Sequence, residues 1–317
     1  MIRTGIYGQI NQDPDILEKL MDVPELNLVG LYCPESINEF SESRLCGIKQ
    51  YTEADKLINE VDAIIALSPM SGLSNIEQLV KNSKHVFFEP SSEYYNKEVN
   101  KLTNIIEEAN VKVQAGFHHR FNNTFLSAKP FIKRPKFIQS NNFRRFSNTT
   151  QTCSVLMDML INDIDIVLSV IKSSVKSVHA NATSINFAEP DIINVRLEFM
   201  NGSVAQMTAG RIATENSHEI IFYCENDYTS IDFCRNKAWQ VKKRNAGSEI
   251  KLFQENIGDL IVDPIPVKPN NLYFDEFSSF AKSIVFDKSP EVNIETVLKT
   301  YEITTKIKDK IKLSTAM

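Results

Sequence analysis

The chain has 317 residues, of which 42% are hydrophobic and 24% are charged, an ordinary composition for a globular protein long enough for two domains. A net charge of −5 without a strongly basic stretch argues against nucleic acid as a partner, and no apolar run approaches the ~18 residues of a membrane span. Five cysteines without C-x-x-C spacing argue against a disulfide framework or a zinc site. Because no charged-then-apolar leader opens the sequence, we expect a cytoplasmic protein.

Residues 1–20 predict a strand, a glycine turn and a helix. The apolar strand residues lead into Gly8, and the apolar residues after 15 have helical spacing. Dinucleotide-binding βαβ folds begin in this way, with the helix N-terminus facing a pyrophosphate. The G-x-G-x-x-G fingerprint requires glycine at 10 and 13, where this chain has Ile10 and Asp13. Asp13 and Pro14 form a helix-start pair that places a negative charge where a phosphate would lie. The alternative to a dinucleotide-binding site is that residues 1–20 form an ordinary βα turn, as in any α/β protein.

The next hundred residues alternate between strands and helices. Strands are predicted at 26–32, 61–67, 84–88 and 111–115, and helices at 54–59, 75–82 and 97–110. Such alternation predicts a doubly wound parallel sheet with right-handed crossovers. We therefore assign residues 1–118 to a Rossmann-like α/β domain of the nucleotide-binding type.

The pattern changes after Gly116. A strand at 137–143 and a helix at 155–171 precede short alternating strands between 175 and 243, with a two-residue hairpin predicted at Asn201 and Gly202. Helices at 272–285 and 294–311 follow. These elements predict an α+β domain over 119–317 with a largely antiparallel open sheet, whose C-terminal helices could pack back on the first domain.

Four aromatic residues in the second sheet bear on assembly. Phe222, Tyr223, Phe233 and Trp239 indicate that the apolar side chains of this sheet do not all face one core. Homodimerisation through the outward face would bury them. A homodimer is therefore expected.

The ordered motifs of the chain resemble those of the Gfo/Idh/MocA family, which includes glucose-fructose oxidoreductase and inositol dehydrogenase. The likeness covers essentially the whole chain. It rests on GIYG at 5–8, DAI at 62–64 followed by SP at 68–69, KHVFFEP at 84–90, GFHHRFN at 116–122 and MDMLINDID at 157–165. The resemblance implies an N-terminal nucleotide domain and, over 119–317, a substrate and dimerisation domain whose open sheet carries substrate contacts and often a dimer interface. It also implies NAD(P)-dependent chemistry on a sugar, cyclitol or related polyol.

The positions that the resemblance assigns to the cofactor are degenerate in this chain. They are Gly8, Ile10, Cys33, Ser68, Pro69, Glu89 and Pro90. Cys33 stands where family members have the acidic residue that holds the ribose hydroxyls, and a thiol is a poor acceptor. We therefore expect weak or absent binding of NAD or NADP.

The family's catalytic positions have changed as well. The lysine of a Glu-Lys-Pro motif is missing, because Glu89 is joined directly to Pro90, and a histidine that often follows the Ser-Pro element is replaced near Leu73. The resemblance places the catalytic histidine at Asn162, four residues after Asp158. An amide keeps hydrogen-bonding capacity but cannot take up a proton near neutral pH.

Further polar residues are expected to line a cleft between the domains. On the helix at 155–171, the polar face comprises Asp158, Asn162, Asp165 and Ser169. Asp163 and Asp165 diverge on the helix, so solvated or capping roles are favoured over paired acids. At the domain crossing the candidates are His118, His119, Arg120 and Asn122, with a bracing role as the plain alternative. Adjacent histidines without a third ligand do not predict a metal site.

Three functional hypotheses remain open. In the first, the chain is a pseudoenzyme that keeps the fold and binds another small molecule or serves as a scaffold. In the second, it is an active NAD(P)-dependent oxidoreductase with an unusual site that uses His118 or His119 for acid–base chemistry. In the third, it is a homo-oligomeric interaction protein whose exposed sheet binds a partner.

Overall fold

The computed structural model describes residues 1–9, 15–33, 48–67, 72–90, 99–147, 154–243, 255–257 and 260–315. Its contacts divide the chain into two compact units. Unit 1 comprises Met1–His118 and Asn271–Lys299, and unit 2 comprises His119–Asn270 and Thr300–Met317. In the part of the chain that is described, no helix is both long and apolar enough to cross a membrane.

Unit 1 contains a six-stranded parallel sheet. Its strands are β1 (Ile2–Tyr7), β2 (Leu26–Tyr32), β3 (Lys49–Tyr51), β4 (Ala63–Ala66), β5 (His85–Phe88) and β6 (Val113–Ala115). The strand order is β3-β2-β1-β4-β5-β6, the doubly wound order of dinucleotide-binding folds. The predicted Rossmann-like fold class is therefore confirmed.

The helices of unit 1 cover this sheet with apolar side chains. They are α1 (Asp15–Met21), α2 (Ala54–Glu60), α3 (Leu73–Lys81), α4 (Val99–Ala109) and α7 (Leu272–Val285). Phe87 of β5 packs edge-on against Phe277 and Phe280 of α7, with ring centroids 5.1 and 6.0 Å apart. The buried faces of α1 and α7 join the same core cluster as β1 and β4.

The predicted strand and helix boundaries in unit 1 are close to the observed ones, with one omission. The strand Leu26–Tyr32 and the helix Leu272–Val285 have the predicted bounds. The strand predicted at 61–67 is shorter, Ala63–Ala66. The sequence analysis missed β3, because a three-residue edge strand with two exposed positions carries no periodic signal.

Unit 2 contains a nine-stranded mixed sheet. Its strands are β7 (Phe137–Arg145), β8 (Val175–Thr183), β9 (Ile192–Phe199), β10 (Val204–Ala213), β11 (Ser217–Tyr223), β12 (Asp227–Asp232), β13 (Lys237–Lys243), β14 (Glu255–Ile257) and β15 (Leu260–Ile265). The order is β14-β15-β13-β12-β11-β7-β10-β9-β8. The pair β7 and β10 is parallel, and the other neighbouring pairs are antiparallel. The predicted α+β class of this part is confirmed.

The helical elements of unit 2 pack on one face of the sheet. They are α5 (Asn123–Ala128), a π-helical turn (Val155–Leu160), α6 (Ile161–Val170) and the later part of α8 (Ile294–Thr315). Their apolar residues share one core cluster with alternate residues of β7, β9, β10 and β11. Phe222 and Phe233 belong to this core, at 0% and 8% exposure. Tyr223 and Trp239 are not part of this core, so the four aromatic residues do not all face it, as predicted.

Two further local predictions need correction in unit 2. The helix predicted at 155–171 begins with a π-helical turn, in which the Ile161 N–H donates to the Leu156 carbonyl. The β9–β10 hairpin exists, but its loop is longer than two residues, because the Gly202 N–H bonds to the Phe199 carbonyl and the Phe199 N–H bonds to the Ser203 carbonyl. Gly202, at φ +84°, supplies the left-handed residue that closes such a loop.

Gly8 is required by the fold itself. Its φ is +129°, and a Cβ at this position would lie 2.3 Å from the carbonyl oxygen of Leu67. We expect Gly8→Ala to lower the free energy of unfolding by about 3 kcal/mol or more, because backbone strain and steric overlap combine. Urea denaturation followed by circular dichroism measures this.

Gly202→Ala is the matched control. Gly202 also has a positive φ, but nothing lies within 4 Å of the added Cβ. The control should therefore lose only about 1–2 kcal/mol, the cost of the left-handed backbone alone. An equal or smaller loss for Gly8→Ala would contradict the steric explanation.

Candidate functional site

Several of the predicted cofactor positions lie at the carboxyl ends of the unit 1 strands. Gly8 follows β1, Cys33 follows β2, Glu89 and Pro90 follow β5, and His118 lies three residues after β6. Ligands of open α/β sheets bind outside this edge. Ile10, Asp13, Pro14, Ser68 and Pro69 lie outside the described residues, as do Ser91, Ser92 and Lys97.

Cys33 does not fit the ribose end of a dinucleotide. Its side chain is only 8% exposed and belongs to the core cluster that contains Ile16 and Leu17 of α1. NAD held at this edge has its ribose hydroxyls bound by a carboxylate near the end of the second strand. A buried thiol offers neither the charge nor the second acceptor. The described residues at the end of β2 therefore do not form a ribose clamp.

Two tyrosines stack where this clamp would begin. Tyr7 and Tyr32 end β1 and β2, and their ring centroids are 5.4 Å apart. Burial raises the pKa of Tyr7, and the nearby Tyr32 and Asp55 raise it further. The phenol is therefore neutral at physiological pH. The ends of β1 and β2 are therefore joined by an aromatic pair in which Tyr7 is buried and Tyr32 is half-buried.

Glu89 and Pro90 are half-buried at the end of β5. The Glu89 N–H donates to the carbonyl of Ala66, 3.1 Å away, and so continues the pairing of β4 and β5. The chain passes directly from Glu89 to Pro90, so no lysine side chain projects from this turn. The electrophilic group that the family resemblance implies is missing at this point.

His118 is held by a glutamate that the sequence analysis did not single out. Its Nδ1 lies 2.8 Å from Oε2 of Glu276, whose side chain is 0% exposed on α7. The His118 ring also packs edge-on against Tyr273, with centroids 5.2 Å apart. Glu276 shares the apolar face of α7 with Tyr273, Phe277 and Phe280. The sequence signal that could have identified Glu276 is a single acidic residue on an otherwise apolar helix face.

The family-equivalent catalytic positions Asp158 and Asn162 differ in exposure. Asp158 is exposed, and its Oδ2 accepts a hydrogen bond of 2.6 Å from the Ser154 N–H. It therefore caps the first turn of the helix. Asn162 is half-buried on α6.

Asp163 and Asp165 are buried, and the solvated or capping roles predicted for them are wrong. Asp165 accepts a 2.6 Å hydrogen bond from Nε of Arg120. Asp163 lies 2.7 Å from Nε2 of His218 and accepts a 2.8 Å bond from Oγ of Ser140. Most of α6 is buried on all sides, so both diverging faces meet protein. Ser169, expected on the cleft face, donates to the Ile166 carbonyl.

His119 completes this cluster in unit 2. Its ring packs against those of His218 and Phe233, with both centroid distances 4.8 Å. Burial acts to raise the pKa of Asp163, but the charge and hydrogen bond of His218, together with His119 and Ser140, outweigh it and lower that pKa. Asp163 is therefore a carboxylate at neutral pH.

Asn122 has a local structural role. Its Oδ1 accepts a 2.8 Å hydrogen bond from the Thr124 N–H and caps α5. This agrees with the bracing interpretation of the segment. Within the described ranges, no group of three or more His, Cys, Asp or Glu side chains is arranged to hold a metal ion.

Comparisons with known proteins agree with this geometry. Residues 119–228 match the family model described as the GFO/IDH/MocA C-terminal domain. The chain is 22% identical over 253 residues to UDP-N-acetylglucosamine 3-dehydrogenase from Acidithiobacillus ferrooxidans, covering 78% of this chain and 79% of that protein.

Solved structures give the same fold. A structure of that dehydrogenase, GnnA, has a TM-score of 0.87 at 16% identity, covering 99% of this chain and 98% of the other. Scyllo-inositol dehydrogenase from Lactobacillus casei, with bound NAD(H) and scyllo-inositol, has a TM-score of 0.78 at 17% identity, covering 98% and 97%.

The buried pair of Asp163 and His218 should contribute strongly to stability. We expect Asp163→Asn to lower the free energy of unfolding by about 3–5 kcal/mol at pH 7, because it leaves His218 without its buried partner. Since the folded pKa of Asp163 is lowered, its contribution is complete above the unfolded value of about 3.9 and is lost as pH falls through the folded pKa. Urea denaturation at a series of pH values measures both effects.

Asp263→Asn is the control for this measurement. Asp263 pairs with Lys242 at 3.5 Å, but the two side chains are 37% and 42% exposed. Its loss should change stability by less than about 1 kcal/mol. Equal losses of unfolding free energy in the two variants would show that the buried pair stabilises the fold no more than the exposed pair does.

Proposed function

We propose that the chain is a degenerate member of the Gfo/Idh/MocA family that binds a small polar ligand without nicotinamide-dependent oxidation or reduction. The observation that carries this proposal is Cys33, a thiol buried in the core where a ribose-binding carboxylate is needed. With Ile10 and Asp13 in place of two glycines, the pyrophosphate loop is changed as well.

The groups that would take part in proton transfer at the family-equivalent positions have changed as well. Oxidation of a hydroxyl carbon requires a group that accepts the hydroxyl proton, and a placed acid–base group typically supplies ~10² to 10⁴ in rate. Asn162 cannot accept that proton, and no lysine separates Glu89 from Pro90. Loss of both the cofactor clamp and the family-equivalent proton acceptor supports the proposed loss of nicotinamide-dependent chemistry.

An active oxidoreductase is the second candidate. The specific observation in its favour is His118, whose imidazole is oriented by a buried carboxylate in the way that acid–base histidines are. Under this candidate, the substrate would be a polyol or a sugar nucleotide, because similar proteins are named for scyllo-inositol and UDP-N-acetylglucosamine.

We expect neither NAD(H) nor NADP(H) to bind more tightly than about millimolar, because each lost contact to the dinucleotide removes a charged hydrogen bond of about 1.5–3 kcal/mol. We also expect no turnover with UDP-N-acetylglucosamine, inositols or sugar acids, either in the native protein or in Asn162→His. Titration calorimetry and absorbance assays with both cofactors test this.

The dehydrogenase from A. ferrooxidans serves as the positive control in both assays. Micromolar binding of either cofactor would contradict the proposal. Turnover that is lost in His118→Ala or His119→Ala, but kept in Asn162→Ala, would establish the second candidate.

We also propose that the chain forms a homodimer through the outward face of the unit 2 sheet. Phe222 and Phe233 are in the core, but Tyr223 and Trp239 are half-buried on the described strands. Tyr223 packs with Phe137 and Tyr228, with ring centroids 5.9 and 5.4 Å apart. An aromatic cluster on an open sheet face is suited to the centre of an interface.

Tyr223→Arg should convert the dimer to a monomer, because it buries an unpaired charge at the centre of the interface. Light scattering coupled to gel filtration at tens of micromolar measures the mass. Met200→Arg is the control, because Met200 is 68% exposed in the β9–β10 loop. A native protein that is monomeric at this concentration would contradict the proposal.

A further inference from the structure

His118 and Glu276 form a paired imidazole and carboxylate within unit 1. The pair joins the segment after β6 to α7, with Nδ1 and Oε2 2.8 Å apart. Both residues lie near the carboxyl end of the parallel sheet, because His118 is the third residue after Ala115 and the Gly116 N–H still donates to the Phe88 carbonyl of β5. Parallel sheets bind their ligands at this edge.

The two partners differ sharply in exposure. The Glu276 side chain is 0% exposed, whereas that of His118 is 32% exposed. Within the described part of the chain, Oε1 of Glu276 has no hydrogen-bond partner, so the contact with His118 is the hydrogen bond that this carboxylate makes. Such a carboxylate interacts strongly with the ring that meets it.

This geometry selects one form of the neutral ring. A carboxylate only accepts hydrogen bonds, so Nδ1 of His118 must carry the proton in their shared bond. The lone pair of the neutral imidazole is then on Nε2. The buried Gln114 also holds this residue of α7 in place, because its side-chain Nε2 donates a 3.2 Å hydrogen bond to the backbone carbonyl of Glu276.

We propose that His118 and Glu276 form an acid–base dyad, in which Nε2 of His118 exchanges a proton with a hydroxyl of a ligand and Glu276 is its positioning residue. The dyad differs from the family-equivalent positions Asp158 and Asn162, which lie in unit 2. It does not depend on the proposed loss of nicotinamide chemistry, since its properties are measurable without cofactor or substrate.

Nitrogen NMR of histidine-labelled protein at about pH 8.5, two units above the ordinary histidine pKa, tests the dyad directly. In the native protein we expect His118 to have a protonated Nδ1 and an unprotonated Nε2. The opposite tautomer would overturn the proposal without any variant being made.

Reactivity of Nε2 is the second measurement. An unprotonated imidazole nitrogen attacks a carbonyl carbon of diethyl pyrocarbonate, forming a nitrogen–carbon bond as the anhydride carbon–oxygen bond breaks. The other ring nitrogen loses its proton, and the departing ethyl carbonate takes up a proton and decomposes to ethanol and carbon dioxide. At the same pH, mass spectrometry of peptides gives the rate at His118. We expect Glu276→Gln to lower this rate about tenfold, the usual effect of losing a charged hydrogen bond.

The controls separate the dyad from general effects on folding. Asp275→Asn removes the same charge from the preceding residue of α7 and should leave the His118 rate unchanged. Within each sample, the exposed His179 on β8 gives a reference rate that should not differ among the variants. If Glu276→Gln leaves the tautomer and the rate of His118 unchanged while His179 reacts normally, Glu276 only braces α7 and the proposal fails.

Discussion

At least four carboxylates in the described part of the chain are removed from water, and each meets a basic side chain. Glu276 meets His118, Asp165 meets Arg120, Asp163 meets His218 and Asp191 meets Arg211, at 2.6 to 2.8 Å. An unpaired buried charge costs several kcal/mol, so each partner must be in place when its acid is covered. Two of these partners, His118 and Arg120, come from the segment after β6. This segment therefore neutralises one buried carboxylate in each unit.

These buried pairs limit which polar residues at 118–122 can contact a ligand. Arg120 is 8% exposed and held by Asp165, so its charge is committed to the interior of unit 2. Asn122 is committed to the cap of α5. Of the polar residues at 118–122, His118 combines a fixed partner with an exposed fraction of about a third. The proposed acid–base dyad accordingly uses the His118 imidazole.

The fold was predictable because its signals are local. Alternating strands and helices in the first part, and period-two alternation in β9 to β11, follow directly from which side chains are buried. The carboxylate partners were not predictable, since His118 and Glu276 are 158 positions apart and Asp163 and His218 are 55 apart. The sequence of a single helix also does not show whether other elements cover both of its faces. For this reason, solvated or capping roles were wrongly predicted for Asp163 and Asp165.

The parallel pair of β7 and β10 has a consequence for the route by which unit 2 folds. β7 lies between β10 and β11 in the sheet, although β8 and β9 separate it from both in sequence. The hairpin of β9 and β10 can close locally, but β7 must wait for strands that follow it by about sixty residues or more. Contacts of such long range close slowly, because the intervening chain loses its entropy first. From this strand order we expect the insertion of β7 to be a late step in the folding of unit 2.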